Sequence, residues 1–186
     1  MTIKDIAISV ATYLNKTDLV EYLSGKTEIP TTDTLTQIDV LTRLSNLVIN
    51  ELSTSYVPIT AKEEVIVQNG KVKIEDLKHK ALRILNVYDK EGNVISFKVD
   101  GEYVKVYNSV VFIEYTYLPD NLGLEEEIGF DQADVSLSVI SFGVCAEYCL
   151  TEWRFDEAVM WRERYISGIK AVTIPKSKQI KGRSWL

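Results

Sequence analysis

The sequence predicts an α+β fold in which helices from both ends of the chain form one bundle around an inserted antiparallel β-region. Apolar residues recur at helical spacing in the first and last thirds of the 186-residue chain, and the middle alternates in short segments between turn dipeptides. Because the strands form one contiguous run flanked by helices, a parallel α/β sheet is disfavoured. We therefore expect a helical bundle from residues 1–58 and 125–174, a β-domain over 59–124, and an extended basic C-terminal arm over 175–186.

The N-terminal third is predicted to contain three helices. The spacing of apolar residues predicts a helix over residues 3–14 and a short second helix over 18–23. Thr34 and Gln37 have the spacing of a capping box, so we expect them to begin a long helix that continues to about Tyr56.

The middle of the chain is predicted to form five or six short antiparallel strands. Asn69-Gly70 and Asp100-Gly101 are dipeptides typical of tight hairpin turns. The segments around them alternate between apolar and polar residues, as half-buried strands do. Short strands joined by two-residue turns favour a meander that closes as a small sandwich or half barrel.

The last third is predicted to form two helices, one from an N-cap at Asp131 to about Trp153 and one from Phe155 to Val172. The first carries apolar residues around nearly its whole circumference. We expect neighbouring subunits to cover it, because a monomer of this size can hardly do so. The candidate subunit-interface residues are Phe142, Tyr148, Trp153 and Trp161.

The C-terminal segment is basic and ends on two large apolar side chains. It contains no acidic residue, and Pro175 and Gly182 discourage a helix. Such a segment is expected to be disordered alone and to order on a partner, although folding of Trp185 onto the chain's own bundle is an equal alternative. The candidate anchor residues are Lys178, Lys181, Arg183, Trp185 and Leu186.

Acidic residues dominate the rest of the chain. The net charge is −6, and the stretch from Asp120 to Glu157 has ten acids against Arg154 alone. This balance disfavours tight binding of nucleic acid. The triplet Glu125, Glu126 and Glu127 is interpreted as an acidic surface, or as a channel lining that repels DNA and lets it slide; a cation site or acid/base pair there is less favoured.

No motif in the sequence predicts catalysis. A glycine-rich phosphate loop, a GxSxG elbow and an HExxH motif are all missing. Cys145 and Cys149 are interpreted as buried thiols rather than metal ligands, since His79 is the only histidine. We expect neither metal nor cofactor, and no enzyme activity. The sequence also predicts no signal peptide and no membrane span, and so a chain made in a cytoplasm.

The order of these segments resembles the head–tail adaptor (connector, or head-completion) proteins of tailed bacteriophages, including versions with an inserted β-domain. Besides the N-terminal helices, the segments that carry the resemblance are 50–58, 112–119, 142–149, 155–165 and 183–185.

The resemblance implies a structural protein of the virion neck that forms a homo-oligomeric ring, commonly of twelve copies, in the host bacterial cytoplasm. The ring would join the portal protein to the tail or the next neck protein, and DNA would pass through its lumen without specific binding. The C-terminal arm, residues 175–186, would grip the portal through its anchor residues.

A different interpretation is a peptide- or carbohydrate-binding module. Strand alternation places Tyr103 and Tyr107 on one face of a strand, and Tyr115 and Tyr117 likewise on one face. These tyrosines would form the recognition surface, although cross-strand aromatic packing explains them equally well.

Overall fold

The computed structural model describes residues 1–27, 29–130 and 135–173. This part of the chain contains five α-helices and six β-strands and confirms the α+β class. The helices are α1 (Ile3–Tyr13), α2 (Thr17–Leu23), α3 (Thr32–Ser55), α4 (Leu137–Thr151) and α5 (Phe155–Thr173). The strands are β1 (Ile59–Ile66), β2 (Lys71–Lys73), β3 (Ala81–Tyr88), β4 (Lys98–Asp100), β5 (Tyr103–Lys105) and β6 (Val110–Tyr117).

The predicted capping box at Thr34 and Gln37 is wrong, because α3 begins one turn earlier. Thr31 is the N-cap, and its side chain accepts a hydrogen bond from the Thr34 backbone N–H at 3.1 Å. The Gln37 amide instead donates to Asp33 within the helix. The expected N-cap of the fourth helix, Asp131, lies outside the described residues, and α4 follows Ser136.

The strands form two three-stranded antiparallel sheets, ordered β1-β6-β3 and β2-β5-β4. The predicted meander is therefore wrong, since the first strand pairs with the last over their full lengths. β6 is rich in β-branched and aromatic residues and takes the centre of its sheet, where both edges are paired. Both sheets contribute to one apolar core, which includes Val72, Val104, Val111 and Ile113.

Helix α4 lies at the centre of the helical core and packs against α1, α3 and α5. Nine of its fifteen residues are buried. The expectation that neighbouring subunits must cover this helix is therefore wrong. Glycine makes the close packing possible: a Cβ at Gly143 would lie 2.8 Å from Val48 Cγ1, and one at Gly168 would lie 2.6 Å from Val139 Cγ2.

The segment after β6 returns to the helices and binds their backbone. The Lys4 N–H donates to the Leu124 carbonyl at 2.8 Å, and the Ile128 N–H donates to the Met1 carbonyl at 3.0 Å. Asn46 on α3 contacts both backbone polar groups of Leu122, at 2.7 and 2.9 Å. These contacts attach the end of the sheet to the helical bundle.

Candidate interaction surface

Three helices end with the same hydrogen-bond pattern, the Schellman motif. After α1, α2 and α4, one backbone N–H donates to the carbonyl five residues earlier at 2.8 to 2.9 Å, and the preceding N–H donates to the carbonyl three residues earlier at 2.9 to 3.2 Å. The residue at the turn has a positive φ in each case: 56° at Asn15, 74° at Gly25 and 60° at Trp153. Glycine is the usual residue there, with asparagine next, so Trp153 is the exception.

The left-handed backbone of Trp153 is unfavourable for a bulky side chain. For an L-residue the conformation costs roughly 1–2 kcal/mol, because Cβ approaches the following carbonyl oxygen. Within the described residues, the other non-glycine positions with positive φ are both asparagines, Asn15 and Asn69. The hydrogen bonds of the motif are all backbone bonds, so the turn does not require the indole. Its presence points to a role outside the turn.

The indole of Trp153 stands in solvent, with 79% of the residue exposed. It meets the 55%-exposed Phe155 edge to face, with the ring centroids 6.0 Å apart. Val159 is exposed one helical turn after Phe155, and Leu150 is exposed three residues before Trp153. We call these four residues the Trp153 knob. Because these exposed apolar side chains come from one turn and the helix ends beside it, we treat them as a candidate interaction surface.

Carboxylates surround the Trp153 knob. Glu152 and Asp156 flank the turn and are exposed. Glu157 is paired with Arg154, whose Nε donates to Oε1 at 2.8 Å. The knob therefore combines an apolar centre with a negative rim, as part of the acidic stretch seen in the sequence.

The other predicted interface aromatics do not share this exposure. Tyr148 and Trp161 are buried within the chain itself, so the predicted interface role does not fit them. Phe142 is half-buried and packs against Tyr13 and Trp161, with centroid distances of 5.5 and 5.7 Å. These three rings are covered because α4 packs against α1, α3 and α5. Of the four predicted residues, Trp153 alone is exposed.

The acidic triplet is exposed, and its three residues make different contacts. Glu125 forms an ion pair with Lys4 at 3.0 Å, and Glu126 accepts a hydrogen bond from the Gly123 N–H at 2.7 Å. Glu127 pairs with Thr2 through its backbone. Part of this charge thus helps to hold the returning segment to α1. A place on a channel wall stays a prediction.

The four tyrosines of the alternative interpretation do not form one surface, and that prediction is wrong for Tyr115. Tyr115 is fully buried, and its hydroxyl donates to Glu63 at 2.8 Å. Burial, followed by this hydrogen bond, raises the pKa of Tyr115 to about 12. Tyr117 is half-buried and stacks on His79 at 4.3 Å, whereas Tyr103 is exposed on β5 and Tyr107 is exposed after the end of that strand.

A basic groove lies on the β2-β5-β4 sheet, and sequence reasoning did not find it. Lys71 and Lys98 both stand directly opposite Lys105 on the adjacent strands. The groove has a volume of about 630 Å³. Its lining combines the three lysines with the larger side chains Phe97, Val106 and Tyr107. These residues come from separate segments, so the strand pairing was needed to bring them together.

Like charges placed directly across strands destabilise a sheet. An ion pair with Asp100 offsets the charge of Lys105 and so weakens this repulsion. The contact also lowers the pKa of the Asp100 carboxyl. Lys71 and Lys98 remain exposed on either side. The lysine row is therefore a surface that an anionic partner would stabilise.

Among the described residues, the remaining sequence-predicted candidates add no further site. Cys145 and Cys149 are buried, and burial raises the pKa of the Cys145 thiol to about 12. No cluster of three or more potential metal ligands forms among residues 1–27, 29–130 and 135–173. None of the helices in those ranges has the length and apolar content needed to cross a bilayer. Outside the described residues lie the candidate anchors Lys178, Lys181, Arg183, Trp185 and Leu186.

Comparison with known proteins found no matching family model and no matching curated protein.

Proposed function

We propose that this chain is a structural adaptor that assembles into a homo-oligomeric ring, joining the portal vertex of a tailed-phage capsid to the tail. The observation that carries the proposal is the Trp153 knob. A large exposed indole on an unfavourable backbone contributes little to the fold and would be stabilised by burial against another molecule, and tryptophan is enriched among the residues that dominate protein interfaces. The sequence resemblance supplies the kind of assembly.

The acidic surface is compatible with passage of DNA through such a ring. Glu125, Glu126 and Glu127 are exposed in every copy, so ring symmetry would repeat their charge around the assembly. Where they face the lumen, repulsion of the phosphate backbone would keep DNA from binding tightly during passage.

The basic arm supplies the attachment to the portal in this proposal. Its anchor residues are Lys178, Lys181, Arg183, Trp185 and Leu186. A ring presents one arm per subunit, so contacts that are weak singly combine into strong attachment.

The proposal is tested first by mass photometry and negative-stain electron microscopy of the purified chain over a range of concentrations. We expect particles of several copies with a central opening, in equilibrium with smaller species. A chain that stays monomeric at every concentration contradicts the proposal.

The same preparation then tests the arm with a chain that ends at Ile180. Deletion of residues 181–186 is expected to leave the thermal melt and the ring unchanged and to abolish co-sedimentation with the portal protein. Full retention of portal binding by the shortened chain would show that the arm is not the anchor.

A further inference from the structure

We infer that the Trp153 knob of one copy docks into the basic groove of a second copy, in a head-to-tail contact between the α4–α5 turn and the β2-β5-β4 sheet. The inference rests on the proposed self-assembly and names the two surfaces that meet in it.

The two surfaces are complementary in charge. Glu152 and Asp156 border the knob, whereas Lys71 and Lys98 border the groove. Docking places carboxylates beside lysines whose mutual repulsion they relieve. A contact of knob with knob would instead oppose two negative rims, so the second copy is expected to present its β-region.

The two surfaces are also complementary in their apolar parts. The groove exposes Tyr107 completely and Phe97 partly, and both line the same space. Its volume of about 630 Å³ lies within the range of roughly 300–1,000 Å³ found for clefts that enclose bulky ligands. An indole in this groove contacts aromatic rings and lysine ammonium groups, which favour the face of a tryptophan ring.

The arrangement of the surfaces determines the symmetry of the assembly. The knob belongs to the helical bundle and the groove to the β2-β5-β4 sheet, so they are different surfaces of one subunit. Contacts between unlike surfaces are heterologous, and their repetition closes a ring when the rotation permits. Each copy in such a ring donates one knob and receives another.

The test uses one variant for each surface, both chosen to preserve the fold. Trp153→Gly places the usual residue at the left-handed position. Lys71→Glu/Lys98→Glu replaces the row of three lysines by alternating charges, which favour strand pairing. At a concentration where the wild type is dissociated, both variants are expected to melt at or above its temperature. At higher concentration, sedimentation is expected to show association weakened by at least about 30-fold.

Matched controls test whether weaker association comes from the two surfaces themselves or from the change in backbone or net charge. Asn15→Gly makes the same backbone change at the end of α1 without removing an apolar side chain. Lys26→Glu/Lys90→Glu makes the same charge change at exposed lysines outside the groove. Both controls are expected to assemble like the wild type.

Mixing the two assembly-deficient variants tests the head-to-tail contact directly. Trp153→Gly retains an intact groove and Lys71→Glu/Lys98→Glu retains an intact knob, so an equimolar mixture is expected to form heterodimers that grow no further. A mixture that remains monomeric, or wild-type-like assembly by either variant alone, overturns the inference and leaves the proposed ring standing. A wild-type chain that never assembles overturns both.

Discussion

Tyr115 shows how burial alters the chemistry of a single side chain. Its hydroxyl lies between the Glu63 carboxylate, to which it donates at 2.8 Å, and the His79 backbone N–H at 3.3 Å. The ring is fully buried, and the pKa rises from 10.0 to about 12. Between these values the folded chain keeps a proton that the unfolded chain has lost. The stability from the neutral phenol is therefore complete below pH 10 and disappears as the pH rises to about 12.

Tyr115→Phe is predicted to flatten the dependence of the melting temperature on pH over this alkaline range. It is also expected to lower the free energy of unfolding at neutral pH by about 1 kcal/mol, because the hydrogen bond to Glu63 is lost. Melting curves recorded from neutral to alkaline pH measure both effects. A pH dependence of Tyr115→Phe equal to that of the wild type would contradict the argument.

Trp153 is the opposite case, a side chain whose position does not serve the fold. Its left-handed backbone costs roughly 1–2 kcal/mol, and glycine there adds back an entropic cost of roughly 0.5–1 kcal/mol. The edge-to-face contact with Phe155 also stabilises the folded chain, but only slightly, because both rings are exposed. These magnitudes explain why removal of the indole is expected to leave the isolated subunit at least as stable.

At the scale of elements, α4 owes its buried position to small residues. Its apolar residues lie on all sides, as the sequence indicates, and α1, α3 and α5 cover them within one chain. Gly143 faces both α3 and α5, and an added Cβ there would lie 2.8 Å from Val48 Cγ1 and 3.0 Å from Tyr165 Cε2. Both neighbours are completely buried and cannot turn away.

Gly143→Ala is predicted to destabilise the chain although alanine favours a helix. Overpacking of a buried site costs typically about 1–3 kcal/mol, against a gain of up to about 1 kcal/mol in helix propensity. Urea denaturation measures the net loss. Gly123→Ala is the control, because a Cβ there meets only the Glu126 side chain at 3.8 Å. Equal stability of the two variants would show that the helices can separate at little cost.

At the scale of the whole molecule, one side chain joins the bundle to the segment that returns from the sheets. The Asn46 amide nitrogen donates to the Leu122 carbonyl, and its oxygen accepts from the Leu122 N–H. Asn46 is buried, so water cannot easily replace either bond.

Asn46→Ala is predicted to lower the free energy of unfolding by about 2 kcal/mol, because both polar groups of Leu122 lose their partner. It should also accelerate proteolysis of residues 118–128 under native conditions. Asn50→Ala, one turn further along α3, is the matched control, since the Asn50 side chain makes no hydrogen bond to the rest of the described chain. Unchanged proteolysis in Asn46→Ala would mean that the contacts with α1 hold the segment alone.

The helices and tight turns of this fold could be predicted from the sequence, because each is set mainly by residues close together in the chain. The Asn69-Gly70 turn forms as predicted, with φ values of 51° and 73°. The helices predicted over 3–14 and 18–23 end within a residue or so of α1 and α2. The candidate surface was only partly predictable: Trp153 was identified as an interface aromatic, but nothing local distinguished it from Trp161.

The linear sequence by itself determined the α+β class, the order of helices and strands, and the acidic character of the α4–α5 turn. Periodicity and turn residues express these properties directly, over a few residues at a time. Only the tertiary structure decided that β1 pairs with β6, that α4 is covered within one chain, and that three lysines meet in a groove. Each of these depends on which distant segments pack together, and packing is selected by the fit of whole elements rather than by the pattern within any one of them.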